Sequence, residues 1–243
     1  MNKNIFIYWA QGFSNAPLTV LKCAESWKKN NPNWKIHFLD DNNLEKYINI
    51  KEHIPQIHKK TITKTSYSDI VRILLLHKYG GCWCDATVFC NKPLNNWLTK
   101  FHTESGFFAF KLNLKNTRIR PLSTWFLYAE PENYIIQEWK NAVIIYWNNN
   151  PKAHHYYWFH ELFLLTSKKD SRFKDIWNKT NTLPAGPPHL PQRVGMFKDI
   201  KIISSHILNK IKSNLTPVYK LAYRPQYPSP KKKNLIGHIL SIK

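Results

Sequence analysis

Ser66-Tyr-Ser-Asp-Ile-Val-Arg-Ile-Leu-Leu-Leu-His-Lys-Tyr-Gly-Gly-Cys-Trp-Cys-Asp-Ala-Thr-Val-Phe-Cys-Asn-Lys-Pro93 is the stretch that decides the fold of this chain. Ser66 followed three residues later by Asp69 reads as a capping box. Ile70, Ile73, Leu74 and His77 then recur at helical spacing. Gly80-Gly81 stops the helix, because glycine accepts the left-handed backbone that a helix end often requires. The chain has only 7 glycines, so two adjacent ones mark a tight turn. Cys82 to Phe89 has strand character, interrupted by a single acid at Asp85. A helix, a sharp turn and a strand ending in a carboxylate put Asp85 at the C-terminal end of a central strand. Open α/β sheets bind their ligands there.

An acid inside an apolar strand is costly unless it is paired, hydrated or metal-bound. A strand-end aspartate that merely caps the next turn is the plainer alternative. Asp69 and Arg72 stand three apart on one helix face, so they either act on one ligand or pair with each other.

Ser68-Asp69-Ile-Val-Arg72, the Lys78-Tyr-Gly-Gly81 turn and Cys84-Asp85-Ala-Thr87 together resemble the core of sugar-nucleotide glycosyltransferases with a GT-A fold. More narrowly, the chain resembles the bacterial capsular polysaccharide synthesis glycosyltransferases. These are relatives of the DXD-containing mannosyltransferase-like family and of the clostridial glucosylating toxins. Ile7-Tyr-Trp-Ala-Gln-Gly12, Tyr157-Trp-Phe-His160 and Gly186-Pro-Pro-His189 extend the likeness over most of the chain.

The resemblance implies an α/β fold with a single Rossmann-like, mixed and mostly parallel sheet flanked by helices. It implies a hexosyltransferase that moves a sugar from a UDP-sugar to a glycan or lipid-linked glycan, in capsule or lipopolysaccharide synthesis, with retention of configuration. Asp69, Arg72 and Asp85 would be the catalytic set, the first two holding the donor sugar. Trp9, Gln11, Gly12, Asp85, Ala86 and Thr87 would bind the nucleotide, with Trp9 stacked on uracil. A tryptophan where a strand runs out also serves as a plain rim or core aromatic. Tyr157, Trp158, His160, Gly186 and His189 would contact sugar or acceptor. Packed aromatics around one satisfied histidine are the structural alternative for the first three. Mn²⁺ or Mg²⁺ is expected on Asp85, Thr87 and His189. The second acid of the usual Asp-x-Asp is Thr87 here, which weakens the case for tight metal dependence.

At 243 residues and 43% hydrophobic content, one sizeable domain is expected. It divides into a nucleotide-sugar part (1–95), an acceptor or helical part (96–205) and a C-terminal lid or membrane-facing tail (206–243). No apolar run reaches transmembrane length, and Met1-Asn-Lys-Asn leads straight into a strand. The expectation is a cytoplasmic protein whose Cys23, Cys82, Cys84 and Cys90 stay reduced. Paired zinc-knuckle spacing is absent among them. Lys+Arg 36 against Asp+Glu 15 gives a formal charge of +21. Clusters such as Lys28-Lys29 and Lys231 to Lys233 suit an anionic inner-membrane surface or nucleic acid. Biased composition on a solvated surface explains them equally well. A basic nucleic-acid-binding protein is thus one rival reading, although no nucleic acid partner is expected. A sugar-nucleotide-binding protein that has lost catalysis, suggested by Thr87, is the other.

Along the rest of the chain, Ile5 to Trp9 and Trp34 to Leu39 read as strands. Between them runs a helix opened by Asn15 and Pro17, and Asp40-Asp41-Asn42 should cap a helix from Leu44 to about Ile48. Strand, helix, strand, helix opens a parallel sheet. Neither the G-x-G-x-x-G fingerprint nor a phosphate loop is present, which argues against a dinucleotide or ATP site. Phe107 to Leu112 reads as a strand, followed by a basic loop through Arg118 and Arg120. Trp125 to Ala129 begins a strand or a helix. Pro131-Glu132 opens an amphipathic helix with Ile135, Trp139, Val143 and Tyr146 on its core stripe, and an aromatic-rich helix follows from His154.

Overall fold

The computed structural model describes residues 1–101, 104–113, 119–213 and 216–241. Arg118, expected in a basic loop, lies outside them. β1 (Asn4–Tyr8), α1 (Leu18–Asn30) and β2 (Lys35–Leu39) open the chain as a parallel unit. A short α2 (Ile50–His53), α3 (Lys64–Tyr79) and β3 (Gly81–Cys84) follow. β4 (Val88–Cys90), β5 (Phe107–Lys111) and β6 (Leu122–Ala129) lead into α4 (Tyr134–Asn149), α5 (Trp158–Lys169) and α6 (Ser171–Lys179). β7 (Leu183–Pro184), α7 (Leu190–Val194), α8 (Ser205–Lys212), β8 (Val218–Lys220) and α9 (Leu235–Ser241) complete it.

The main sheet has the order β2-β1-β3-β6-β5-β7. β1 pairs in parallel with β2 and β3, whereas β6 runs antiparallel to both β3 and β5. One reversed strand in an otherwise parallel sheet flanked by helices is the mixed, mostly parallel architecture expected. Alternation along β1 feeds two cores. Phe6 and Tyr8 face α3, α4 and α5 with Ile70, Leu74, Trp139 and Trp158. Ile5 and Ile7 face the side of α1 with Val20, Trp27, Phe108 and Phe126. Both faces are covered, so Ile5 to Tyr8 of β1 and Cys82 to Cys84 of β3 are buried on either side of the sheet. Among the described residues no helix is long and apolar enough to cross a membrane.

Several local expectations are corrected. α3 starts at Lys64, capped by Thr63 Oγ1, which accepts the Ser66 N–H at 3.1 Å. Asp69 therefore sits in the second turn and closes no capping box. Asp40 does cap its own loop, its Oδ1 accepting from the N–H groups of Asn42 and Asn43, but only a single 3₁₀ turn (Leu44–Lys46) follows. Pro17 stands at the cap of α1, not inside it. Asn133 opens α4 by accepting the N–H groups of Ile135 and Ile136. α5 begins at Trp158, so His154 to Tyr157 is a loop. Trp125 to Ala129 belongs to a strand, β6.

The run from Cys82 to Phe89 is two strands, not one. β3 ends at Cys84, residues 85–87 turn, and β4 leaves to pair with β8 in a separate two-stranded sheet. α1 holds β4 in place: Trp27 Nε1 donates to the Val88 carbonyl at 2.8 Å, and Cys90 N donates to Ser26 Oγ at 2.9 Å. The glycine pair acts as expected. Gly80 (φ +63°) ends α3, and Gly81 (φ +91°) starts β3 so close to β1 that a Cβ there would lie 2.5 Å from the Asn4 carbonyl oxygen. Gly81→Ala should cost at least about 2 kcal/mol, combining a left-handed backbone with a backbone clash, as read by urea denaturation.

All four cysteines are buried and none forms a disulfide. Burial pushes the thiols of Cys23, Cys82 and Cys84 well above their usual range. A native sample should resist an aromatic disulfide reagent over hours, with all four thiols titrating once guanidinium is added.

Candidate active site

The Asp85 carboxylate lies where β3 ends, at the middle of the sheet. Oδ1 accepts from Arg72 NH2 at 3.1 Å and from Trp83 Nε1 at 3.0 Å. Oδ2 accepts from Lys220 Nζ at 2.9 Å, and the same ammonium donates to Thr87 Oγ1 at 2.8 Å. Arg72 also holds Asp69 Oδ1 through NH1 at 2.8 Å, with both side chains almost fully buried. The guanidinium lies between the rings of Trp83 (5.1 Å) and Phe159 (5.7 Å). Thus α3, β3 and β8 each deliver one part of a charged knot.

The charges tune one another. Burial pushes the Asp85 carboxyl up, but Lys220 and Arg72 together pull it below the usual carboxylate range. Burial pushes Asp69 up to about 7 against the pull of Arg72, and the Asp85 charge adds to the rise. His160 is driven down to about 3 by burial and by Arg72 and Arg120, so its imidazole is neutral. Burial likewise lowers His189.

Two hollows meet at this knot. The first, about 400 Å³, is lined by Trp9, Gln11, Ala86, Thr87, Tyr223 and Asp85, among others. Tyr223 stands edge-on to Trp9 at 5.9 Å. The second, about 420 Å³, runs from Asp69, Arg72 and Lys220 to Arg120, Thr124, Tyr157, His160 and His189. Tyr156 and Gln192 border both. Arg120 covers the Tyr157 ring at 4.2 Å, and Tyr157 stands edge-on to His160 at 5.7 Å. His160 Nε2 is 3.5 Å from Thr124 Oγ1. The His189 ring meets the edge of Trp125 at 5.7 Å.

Asp69, Arg72, Asp85, Trp9, Gln11, Ala86, Thr87, Tyr157, His160 and His189 therefore converge on one cleft. Trp158 does not. It is fully buried between Tyr146 and Trp147, with Nε1 donating to Ser66 Oγ at 3.1 Å, so it is a core residue and not a sugar contact. Gly12 and Gly186 stand outside the lining. Gly12 (φ +81°) turns the chain after Trp9, its N–H donating to the Trp9 carbonyl. Gly186 accepts the His189 N–H and shapes that loop.

Sequence reasoning missed Lys220, Tyr223, Gln192 and Tyr156. Lys220 had a signal: it is a lone charge in the apolar run Pro217-Val-Tyr-Lys-Leu-Ala222, the counterpart of Asp85 in β3. The segment expected to be a lid or membrane-facing tail thus contributes a strand and a cation to the site.

Asp85 and Thr87, two of the donors expected to hold Mn²⁺ or Mg²⁺, are brought together, but the Lys220 ammonium bridges them. Two cationic side chains already engage two carboxylates, one of which burial drives toward its neutral form. His189 adds a ring directed at Trp125 in the second arm. As arranged, these donors do not fit a divalent cation, which needs oxygen ligands and spare negative charge.

Among the described residues, the group of metal-ligand type is elsewhere: His154, His155 and Glu161. Both Nε2 atoms lie 2.8 Å from Glu161 Oε2. The Tyr157 N–H donates to His155 Nδ1 at 2.9 Å, and His154 Nδ1 meets the Tyr146 hydroxyl at 2.5 Å. With Nδ1 accepting, the His155 proton sits on Nε2 and points at the carboxylate. The trio ties the loop bearing Tyr156 and Tyr157 to α5, beside the cleft.

Among curated proteins, the chain is similar to the glycosyltransferase afumC of Aspergillus fumigatus, 24% identical over 160 residues that make up 60% of this chain and 41% of that protein. It is also similar to the O-glycosyltransferase braB of Annulohypoxylon truncatum, 31% identical over 98 residues, 36% of this chain and 23% of that one. An uncharacterized glycosyltransferase, L373 of Acanthamoeba polyphaga mimivirus, is 26% identical over 44% of this chain and 42% of its own. The chain spans less than half the length of these relatives. Among solved structures, the PaToxG glycosyltransferase aligns over 88% of this chain and 84% of its own at 17% identity and a TM-score of 0.41. GlyE of Streptococcus pneumoniae TIGR4 aligns over 99% of this chain and 60% of its own at 11% identity and a TM-score of 0.48. The profile of the capsular polysaccharide synthesis proteins matches residues 1–239, nearly the whole length, and the chain belongs to that family.

Proposed function

We propose that this chain is a hexosyltransferase that moves a sugar from a UDP-sugar to a glycan or lipid-linked glycan acceptor in capsule or lipopolysaccharide synthesis. One observation carries the reading: two hollows, one walled by aromatic rings and one by hydroxyls and neutral imidazoles, join at a knot of fixed charge. The family and the curated glycosyltransferases support it. A base would stack on Trp9, with Tyr223 behind it and Gln11 at its edge. The diphosphate would lie at the knot, beside Lys220 and Thr87. The sugar would enter the second arm, against Asp69, Thr124, Tyr157 and His160, with the acceptor beyond, near Arg120 and His189.

Departure of the nucleotide builds negative charge on its terminal phosphate, and fixed cations there stabilise the transition state. The sugar C1–O(phosphate) bond breaks, and C1 bonds to the acceptor hydroxyl oxygen on the same face. The hydroxyl proton passes to the departing phosphate oxygen, and UDP leaves. Among the described residues lining both arms, the carboxylates are Asp69 and Asp85, each held by Arg72. Neither is free to form a covalent glycosyl intermediate, which favours this retaining route. Asp69, Arg72 and Asp85 then act by positioning. The work would take place at the inner face of a bacterial membrane, where the basic surface meets anionic lipid.

A thermal-shift panel tests the ligand class. UDP and one UDP-sugar should raise the melting temperature by about 5–10 °C at roughly 100 Kd, and Trp9→Ala should weaken UDP by a factor of about 10 or more. No shift with any nucleoside diphosphate, alongside salt-steep binding to a single-stranded oligonucleotide, would favour the nucleic-acid reading instead.

The titration of Asp69 gives a second test. Its folded value near 7 means that it ionises as pH rises from 6 to 8, and only the ionised form can accept a sugar hydroxyl at Oδ2 while Oδ1 holds Arg72. UDP-sugar affinity should therefore rise a few-fold over that interval in wild type and stay flat in Asp69→Asn, as measured by calorimetry.

A further inference from the structure

We infer that Lys220 takes the place of the divalent cation at this site, so that the chain binds the diphosphate of its donor without metal. The inference rests on the nucleotide-sugar reading above and adds to it the chemistry of the phosphate contact. Lys220 Nζ donates to Asp85 Oδ2 at 2.9 Å and to Thr87 Oγ1 at 2.8 Å, bridging the two side chains from which a metal would hang. An ammonium has three donors, and two are used. The side chain retains 17% exposure and borders both hollows, so the third N–H has room to reach a phosphate oxygen.

The backbone fixes this ammonium in place. Lys220 pairs with Val88 in the β4–β8 ladder, Leu221 N donates to the Thr87 carbonyl at 3.0 Å, and Gln192 Nε2 donates to the Lys220 carbonyl at 3.0 Å. Its position is thus set by the same turn that presents Asp85 and Thr87. The hydroxyl of Thr87 fits the arrangement. A second carboxylate there would add the charge a divalent ion needs, whereas a hydroxyl accepts an ammonium proton without adding charge. Asp85, engaged by Arg72 as well, has no charge to spare for a third cation.

The test is titration calorimetry of UDP into chelator-treated protein, in EDTA and in millimolar Mn²⁺. Wild type should bind with affinities within about twofold of each other in the two buffers. Lys220→Met should lose tenfold or more in EDTA, and Lys220→Arg should keep most of the affinity, which separates lost charge from lost fold. The double variant Lys220→Ala/Thr87→Asp should bind UDP only with Mn²⁺. Wild-type binding that vanishes in EDTA and returns with Mn²⁺ would overturn the inference while leaving the nucleotide-sugar site standing. So would Lys220→Met binding as well as wild type. No binding of UDP by wild type in either buffer would refute the nucleotide reading itself, and the inference with it.

Discussion

The Asp85 carboxylate, set at the end of a strand whose other residues are fully buried, is the constraint around which this molecule closes. A charge in such a place needs partners, and removing one partner of a buried ionic group is far costlier than leaving a surface charge alone. Three elements answer it, two near in sequence and one far. α3 supplies Arg72, β3 itself supplies Trp83 Nε1, and β8 supplies Lys220 from 135 residues away. Each contact restrains the element that makes it. Arg72 is held additionally by Asp69 and by two aromatic rings, which sets how α3 lies on the sheet. Lys220 brings β8 onto β4 and so folds the C-terminal segment over the C-terminal end of β3.

That closure explains why the cleft has two unlike arms. Strand ends β1 and β3 present Trp9 and Asp85 side by side because both strands are parallel and neighbours. β6 runs the other way, so Ser123 and Thr124 near its start lie at the same end of the sheet as the finish of β3. One reversed strand thereby places hydroxyls beside a carboxylate that a purely parallel sheet would have surrounded with strand C-termini alone. The aromatic arm offers stacking surface, and the hydroxyl arm offers hydrogen bonds that neutral His160 and His189 extend. The fixed charge stands between them. That order of stacking surface, fixed charge and hydroxyls is the one that the proposed nucleotide-sugar donor would require.

How much of this was legible in the sequence depended on the range of the interaction. The glycine pair, the helix before it and the lone acid after it were readable, because a stop signal, a 3.6-residue period and a charge in an apolar run are all local. The length of β3 was not readable. Val88 to Cys90 has the same apolar character whether it continues one sheet or joins another, and α1 and β8 decide the matter through contacts more than 60 residues away. Tyr157-Trp-Phe-His160 was half readable. Four consecutive aromatic or imidazole residues at the start of a helix point in four directions, so Tyr157 and His160 reach the cleft while Trp158 and Phe159 are fully buried. The cap of α3 was misplaced by three residues, since Thr63 and Ser66 are both competent caps and Ile62, packed on the core, precedes the first.

Lys220 shows what a stricter use of the same local rule yields. The cost that marks a lone acid in a buried strand applies equally to a lone base, and a chain that carries one of each must either bring them together or hydrate both. Val218, Tyr219 and Leu221 are buried, so hydration of Lys220 would have meant exposing the strand that holds it. Joining it to Asp85 satisfies both charges at one point. The same pairing accounts for Thr87. With the ammonium seated between the two side chains, a carboxylate at 87 would leave the knot with more acid than the two bases balance, whereas a hydroxyl accepts the second N–H and leaves the third for a ligand. The departure from Asp-x-Asp and the unexpected lysine are therefore one feature seen from two strands. In the proposed transfer, this ammonium would stand beside the leaving group by covalent attachment to the chain.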